Sequence, residues 1–223
     1  MSYLIKSFLK RLRKKVLKTQ REKVLSEKYF NIIKGLKFKK NIKILDYGSG
    51  FEPHIIFNLS KRLKKSSYNS KIICADYYEK KHLINLNKKN NSIQFINLKE
   101  LKKFNLKFDI VIISDVLHHI DIENFKYIKK ILKKLNRNSN YILLKDHFEY
   151  GIISRNILRL MDFIGNYYND VSIPKKYFTK EKLNKLINQV GLKVIKRVEN
   201  VKIYSDFFLF FANPKYQFIY ILK

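Results

Sequence analysis

One short segment constrains the fold of this chain more than any other. Its sequence is Lys43-Ile44-Leu45-Asp46-Tyr47-Gly48-Ser49-Gly50, an apolar strand that runs into an acidic residue and a glycine turn. Glycine adopts positive φ readily and has no Cβ atom, so Gly48 and Gly50 allow a ligand to approach closely. Pro53 follows where a first helical residue is expected. A strand, a glycine turn and a helix start together predict a nucleotide cradle at the carboxyl end of a parallel sheet.

The spacing of the glycines narrows the kind of cofactor. Dinucleotide-binding turns have the pattern G-x-G-x-x-G, and the third glycine is absent here because Pro53 follows Phe51 and Glu52. The lysine and hydroxyl pair of a phosphate-binding P-loop is also missing from this turn. Glu52 would repel a pyrophosphate. The turn therefore favours a nucleoside cofactor that lacks phosphates.

The residues Asp46-Tyr47-Gly48-Ser49-Gly50 resemble the first motif of the class I (Rossmann-like) S-adenosylmethionine-dependent methyltransferases. Many members of that family carry a third glycine where this chain has Glu52. The resemblance covers roughly residues 41–223 and is to the small-molecule type. It implies an α/β fold with a doubly wound, mostly parallel seven-stranded sheet and helices on both faces. It also implies that S-adenosyl-L-methionine is the cofactor and that Asp46, Gly48 and Gly50 contact it.

The next two predicted strands, Lys71–Ala75 and Ile93–Ile96, end at polar residues. In nucleoside-binding α/β sheets, an acidic residue at the tip of the second strand accepts hydrogen bonds from the ribose hydroxyls, and Asp76 stands there. The alternative is that Asp76 caps a helix beginning at Tyr77. The resemblance places Tyr77 near the adenine. It places Asn97 where many members have an acidic residue that reads the adenine amino group.

The fourth predicted strand, Phe108–Ser114, is an almost continuous apolar run, as expected of a strand covered on both faces. It leads into Asp115, His118 and His119, and Asp121 is a natural cap for the following helix. The segment looks like the family's fourth motif, which implies that Asp115 contacts the cofactor and His118 the substrate. No metal is predicted, because adjacent histidines point in different directions and no third histidine or cysteine lies at ligand spacing. Either histidine is alternatively a packing residue.

The fifth predicted strand, Tyr141–Leu144, delivers Lys145-Asp146-His147 to the end of the sheet where catalytic groups are expected. Transfer of a methyl group to an oxygen or nitrogen requires removal of a proton, and a general base contributes about two to four decades of rate. His147 is the predicted base, because the ordinary pKa of histidine is near 6.5. Asp146 is predicted to orient His147 or to bind the acceptor. The alternative is that both residues only organise the loop.

A long segment, residues 149–178, separates this strand from a predicted helix that Thr179 caps and Gly191 ends. Connections of this length are usually functional or carry structure of their own. In small-molecule members of the family, an insertion here caps the acceptor pocket. The candidate pocket walls are Met161, Phe163, Tyr167 and Tyr168, although such aromatic crowding is also typical of an ordinary core. Residues 192–201 and 217–222 are predicted to be the last two strands.

The charge of the chain is strongly positive. Lysine and arginine number 48 against 18 acidic residues, which gives a net charge of +30. Residues 1–40 are predicted to be a basic amphipathic helical arm that precedes the methyltransferase domain at 41–223. Three partners are open for this arm: an anionic membrane surface through residues 1–20, its own domain, or nucleic acid.

The sequence lacks an apolar run long enough to span a membrane and lacks an apolar secretory leader. The single cysteine, Cys74, excludes an internal disulfide, so we expect a cytoplasmic protein with an optional contact at the inner membrane surface. The favoured function is methyl transfer to an oxygen or nitrogen of a small-molecule or lipid-linked acceptor. The alternatives are an RNA methyltransferase that uses the basic surface, and a catalytically inert binding subunit of the same fold.

Overall fold

The computed structural model describes residues 19–51, 53–89, 92–103, 106–120, 122, 125–166, 171–204 and 213–223. Several predictions fall outside these ranges. They concern residues 1–18 of the basic arm, the helix cap at Asp121 and the pocket-wall residues Tyr167 and Tyr168.

The centre of the molecule is one sheet of seven strands. The strands are β1 (Asn41–Tyr47), β2 (Asn69–Asp76), β3 (Ile93–Asn97), β4 (Phe108–Ser114), β5 (Ser139–His147), β6 (Val194–Glu199) and β7 (Gln217–Leu222). Their order across the sheet is β3-β2-β1-β4-β5-β7-β6. The pairs among β1 to β5 are parallel, and β7 runs antiparallel to β5 and β6. The prediction of a mostly parallel seven-stranded sheet is confirmed.

Six helices are described around this sheet. They are α1 (Thr19–Gly35), α2 (His54–Lys65), α3 (Lys80–Lys89), α4 (Phe125–Arg137), α5 (Ile152–Asn166) and α6 (Lys180–Val190). Both predicted signals of α6 are confirmed, because the Thr179 hydroxyl accepts the Lys182 N–H and Gly191 ends the helix at φ +78°. Helix α2 begins one residue later than expected, with Pro53 as its cap residue. No described helix is long and apolar enough to cross a membrane.

Helices cover both faces of the sheet because its strands are apolar on both sides. The central strand β4 shows this pattern, since Ile110, Val111, Ile112 and Ile113 are all fully buried. Leu132 of α4 and Leu186 of α6 belong to the core on one face. Leu25, Tyr29 and Ile33 of α1 pack with residues of α2 on the other face. The described part of the predicted arm is therefore built into the domain.

The parallel strands all end at the same rim, and the backbone ties their tips together. The Gly48 N–H donates to the Ala75 carbonyl over 2.8 Å, which joins the ends of β1 and β2. The Asp115 N–H donates to the Lys145 carbonyl over 3.0 Å, which joins β4 and β5. Because β5 and β7 are paired from His147 to Gln217, β7 starts at this rim as well. Residues that are distant in sequence therefore meet at one edge.

Candidate active site

The glycine turn after β1 has the shape that the sequence predicts. Gly48 and Gly50 both have φ of +74°. A Cβ atom on Gly48 would lie 2.5 Å from Val116 Cγ2, so this glycine lets the tip of β4 pack directly against the turn. A Cβ atom on Gly50 would meet no described atom within 4 Å. The Cα atom of Gly50 therefore faces open space.

Asp76 lies at the tip of β2 and holds this turn. Its Oδ2 atom accepts the Gly50 N–H over 2.6 Å, and its Oδ1 atom accepts the Tyr77 N–H over 2.6 Å. The alternative in which Asp76 caps a helix starting at Tyr77 is wrong, because α3 begins at Lys80. Each carboxylate oxygen has more than one lone pair, so Asp76 can accept further hydrogen bonds from a ligand.

The two residues assigned to the adenine end lie on either side of this carboxylate. The Tyr77 side chain is 59% exposed at the rim. The Asn97 amide is already engaged, because it donates to the Tyr78 carbonyl over 2.8 Å and accepts the Lys99 N–H over 3.0 Å. Asn97 thus holds the loop after β2 in place, and its contact with adenine stays a prediction.

Asp46 stands at the bottom of the turn and is only 5% exposed. Burial and the neighbouring Asp76 carboxylate raise the pKa of Asp46 to about 8. The carboxyl group is therefore mostly protonated at pH 7 in the free protein. A cationic group placed beside it would restore the carboxylate, because an opposite charge favours the ionised form.

Asp115, at the tip of β4, is the anion between the buried Lys145 and the partly buried Arg21. Arg21 of α1 and Lys145 of β5 both donate hydrogen bonds to its carboxylate. Burial would raise the pKa of Asp115, but the two cations hold it well below its usual range. The residue also has a φ of +56°, which is uncommon outside glycine. Asp115 joins the N-terminal helix to the centre of the sheet.

His118 and Asp146 form a second buried ion pair. His118 Nδ1 lies 2.5 Å from Asp146 Oδ1, and both side chains are completely buried. On its other side, His118 Nε2 lies 3.4 Å from Asp162 Oδ2 of helix α5. Burial would lower the pKa of His118, but the two carboxylates raise it to about 9. The ring is therefore an imidazolium at pH 7 and is enclosed, so its predicted contact with substrate stays a prediction.

His147, the predicted base, lies beside this pair at the end of β5. Its Nδ1 atom is 3.3 Å from Asp115 Oδ1 and 3.6 Å from Asp146 Oδ1. Burial and the adjacent Lys145 ammonium lower the pKa of His147, so the ring is neutral at pH 7. Its Nδ1 atom is buried without a hydrogen-bond partner. Asp146 accepts the His147 backbone N–H over 2.8 Å, so it holds the main chain of His147 while its side-chain ion pair is with His118.

Four of these side chains could in principle hold a metal ion. Ligand atoms of Asp115, His118, Asp146 and His147 lie within 4.8 Å of one another, so the fold brings together histidines that are far apart in sequence. The charges disfavour an ion, because Arg21 and Lys145 already neutralise the site. Two unit charges 4 Å apart interact by about 4 kcal/mol at an effective dielectric constant of 20, and a divalent ion doubles that repulsion. The absence of a metal site stays a prediction.

Helix α5 and Tyr177 pack beside the buried residues at this rim. The Tyr177 hydroxyl donates to Asp162 Oδ2 over 2.5 Å, and its ring is 5.4 Å from the His118 ring. Of the two described pocket-wall candidates, Met161 packs against the core on the α1 side of the sheet and Phe163 is 37% exposed. The pocket-wall role of both residues stays a prediction.

Sequence reasoning missed four members of this site. No local sequence pattern marked Arg21, Asp162 or Tyr177 as site residues, because each lies on a different segment of the chain and meets the site only in the folded protein. Lys145 stands next to the predicted Asp146 and His147, and its position at a strand end was the available signal.

Comparison with known proteins settles the family of this chain. Residues 8–197 match a family model described as a methyltransferase domain. The chain belongs to this methyltransferase family. The comparison of this chain with curated protein sequences finds no match.

Solved structures show the same fold at low sequence identity. A SAM-dependent methyltransferase from Aquifex aeolicus is 17% identical with a TM-score of 0.56, over 97% of this chain and 96% of that one. The magnesium protoporphyrin IX methyltransferase ChlM from Synechocystis PCC 6803, solved with bound SAM, is 14% identical with a TM-score of 0.56, over 94% and 82%. A cyclopropane-fatty-acyl-phospholipid synthase-like protein from Lactobacillus casei ATCC 334 is 12% identical with a TM-score of 0.56, over 91% and 90%.

The chain is an S-adenosylmethionine-dependent methyltransferase. The residues at the rim fit this cofactor. Gly50 faces open space, the Asp76 carboxylate has lone pairs left for hydroxyl donors, and the buried Asp46 lacks only a cation to become ionised. We assign Asp76 to the ribose and Asp46 to the amino group of the methionine moiety as predictions that binding measurements can test.

We expect Asp76→Ala to weaken S-adenosylmethionine binding by about 1 to 3 kcal/mol, which is roughly 5- to 150-fold. The change removes the ribose acceptor and the partner of the Gly50 N–H together. Isothermal titration calorimetry measures the affinity. Asp109→Ala is the matched control, because that carboxylate lies at the start of β4, away from the rim, where it accepts the Lys43 N–H. Unchanged affinity in Asp76→Ala would contradict the ribose role.

We expect S-adenosylmethionine binding at pH 7 to release close to one proton. Asp46 is mostly protonated in the free protein, and the cofactor's ammonium group favours its ionised form. Affinity should therefore rise with pH until about pH 8, where the amino group itself begins to lose its proton. Calorimetry in phosphate and in Tris measures the release, because the two buffers differ in ionisation enthalpy. The release should vanish in Asp46→Asn, and its persistence there would assign it to another group.

Proposed function

We propose that this methyltransferase transfers the methyl group to an oxygen or nitrogen atom of a small-molecule or lipid-linked acceptor. One observation supports this most directly. The imidazole of His147 is neutral and its Nδ1 atom has no hydrogen-bond partner, although it is buried at the carboxyl end of β5. The Nε2 atom of the same ring lies 3.4 Å from Lys145 Nζ. A neutral imidazole whose Nδ1 atom is free of hydrogen bonds suits an acceptor that must lose a proton.

The bound cofactor supplies an electrophilic methyl group, and the residues of this chain supply position and proton transfer. Asp46 and Asp76 hold the cofactor, and His147 takes the proton from the acceptor. His118 is already protonated and enclosed, so it does not compete for that proton. Arg21 holds α1 against Asp115. Proton transfer by a placed base contributes about two to four decades of rate.

The segment after β5 favours a small or lipid-linked acceptor over a large one. Asp162 of helix α5 and the Tyr177 ring lie beside His118 at this rim, and we propose that they enclose the reacting group of the acceptor. Two structural neighbours are named as a magnesium protoporphyrin IX methyltransferase and a cyclopropane-fatty-acyl-phospholipid synthase-like protein, which is compatible with an acceptor of this kind. We further propose that the protein works in the cytoplasm, with residues 1–20 able to contact the inner membrane surface.

The test is transfer of tritiated methyl from S-adenosylmethionine to extracts of the native cell. We expect label in the lipid fraction or in the small-molecule fraction, where release of labelled methanol by mild base identifies a methyl ester and retention of the label identifies an ether or an amine. Label found only in RNA or protein would contradict the proposal. Binding of S-adenosylmethionine with no labelled product in any fraction would favour the inert binding subunit.

A further inference from the structure

Helix α5 is apolar on the side that faces away from the protein. Ile152 and Ile153 are 70% and 78% exposed, and Leu160 is 45% exposed. Ser154 is buried on the inner side of the helix, where Asp162 lies beside the buried His118. A surface helix of a globular protein normally exposes mainly polar residues, whereas α5 has apolar side chains on its outer side as well as the buried Leu158 on its inner side. The exposed side of α5 therefore requires an explanation other than the core of this domain.

The exposed apolar side chains of α5 share one face. Successive residues of an α-helix turn by about 100°, so positions 152, 153 and 160 fall within about 100° of one another, on a face that also exposes Asn156 and Arg159. The chain on either side of the helix continues this character, since Tyr150 is 48% exposed and Val171 and Ile173 are 36% and 37% exposed. We call this surface the cap face; its residues are Tyr150, Ile152, Ile153, Leu160, Val171 and Ile173.

The cap face holds a large share of the exposed apolar surface. Among the described residues, seven of the twelve large apolar side chains that are exposed lie between positions 150 and 173. Scattered single residues of this kind are normal, but a concentration in one insertion marks an interaction surface.

Cations surround the cap face. Arg159, Lys175, Lys176 and Lys215 are exposed around it, and Lys215 Nζ lies 5.1 Å from the centre of the Tyr150 ring. Between positions 149 and 176 the described acidic side chains turn inward, while Glu181 and Glu199 lie near Tyr150 together with Lys180. Asp162 accepts from Tyr177, and the buried Glu149 is held by two hydrogen bonds from Arg155 at 2.7 and 2.9 Å. The outer surface thus combines apolar side chains with positive charge.

We propose that the cap face docks on an anionic phospholipid bilayer. Helices that lie at a membrane surface bury an apolar face at the boundary of headgroups and acyl chains, with lysine and arginine beside it. Tyrosine is enriched at the same depth, because its ring is apolar and its hydroxyl is polar. This inference rests on the proposed function, since it places the rim with His147 next to the membrane that would hold a lipid-linked acceptor.

The positive charge around the cap face disfavours two other occupants, a second copy of the chain and residues 1–18. A second copy of the chain would bring another net charge of +30 against the cationic surround. Residues 1–18 contain seven lysines and arginines and no acidic residue, so they would add to the same repulsion. An anionic bilayer is complementary to the surface, and its negative potential attracts basic residues near it.

The test is vesicle flotation of the full chain at physiological salt. One set of vesicles is phosphatidylcholine alone, and the other contains equal parts of phosphatidylcholine and phosphatidylglycerol. We expect the protein to float with the anionic vesicles only. The double variant Ile152→Asp/Ile153→Asp should reduce that partitioning at least about tenfold, because it places two carboxylates where the face meets the lipid.

The matched control is Ile84→Asp/Ile195→Asp. Those side chains are 45% and 51% exposed on α3 and β6, and the variant adds the same two charges away from the cap face. It should float like the unchanged protein. Thermal melting and S-adenosylmethionine affinity should be unaltered in both variants, which separates docking from folding and from cofactor binding.

Four results would overturn the proposal. The first is unchanged flotation of the Ile152→Asp/Ile153→Asp variant. The second is an equal loss in the control, which would assign binding to net charge alone. The third is a dimer in sedimentation velocity that only the cap-face variant dissociates, and the fourth is retention of nucleic acid with no flotation. Flotation with label in neither the lipid fraction nor the small-molecule fraction would instead contradict the acceptor proposal and leave docking intact.

Discussion

Replacing Asp115 with alanine is expected to lower the free energy of unfolding by about 3 to 5 kcal/mol. The carboxylate is the shared partner of Lys145, which is buried, and of Arg21, which is partly buried. Removing it leaves two positive charges close together without an anion, which costs more than the loss of the hydrogen bonds alone. Urea unfolding followed by circular dichroism measures the change.

Two further variants identify the cause of that loss. Adding Lys145→Met to Asp115→Ala should recover part of the stability, because an apolar side chain replaces an unpaired buried charge. Asp109→Ala, at the exposed start of β4, should cost much less. A loss below about 1 kcal/mol in Asp115→Ala would show that the two cations find water or other partners.

The pH dependence of the Asp115→Ala variant has a definite sign. Burial already lowers the pKa of Lys145, and without the carboxylate that pKa falls further. The unfolded chain then binds more protons than the folded chain over the interval between the lowered pKa and about 10.4. The free energy of unfolding of the variant should therefore rise with pH across that interval, relative to the unchanged protein.

His147→Ala is expected to lower the rate of methyl transfer by about two to four decades while leaving S-adenosylmethionine affinity unchanged. The variant removes the neutral imidazole that is proposed to receive the acceptor's proton, and it leaves the glycine turn after β1 unchanged. Single-turnover transfer of tritiated methyl to the labelled fraction of the native extract measures the rate, and calorimetry measures cofactor affinity.

The neighbouring histidine supplies the control for this change. His119 Nδ1 bonds to the Ser172 carbonyl over 3.2 Å, and His119→Asn keeps a donor there, so its rate should stay close to that of the unchanged protein. Because the pKa of His147 is lowered, activity should fall with acid only below about pH 6.5, the ordinary value for histidine. Full activity of His147→Ala, or a profile that falls at higher pH, would remove His147 as the base.

The fold was predictable because its signals are local. The apolar run of β4, the turn at Gly48 and Gly50, and the Thr179 and Gly191 ends of α6 each depend on residues close together in the chain. Periodicity and turn chemistry act over a few residues, so they can be recognised without the partners. The position of Asp76 at a strand tip follows from the same reasoning, and its bond to Gly50 joins two predicted elements.

The sequence by itself determined the strands, the glycine turn after β1 and the presence of polar residues at the ends of β4 and β5. The tertiary structure alone decided how those residues pair. Arg21 binds Asp115, which lies 94 positions away in the sequence. Asp146 pairs with His118 and also accepts the His147 backbone N–H. Helix α5 exposes several apolar side chains on its outer side. These outcomes depend on how whole elements pack against one another, because charge pairing and burial are set by neighbours in space that no local pattern encodes.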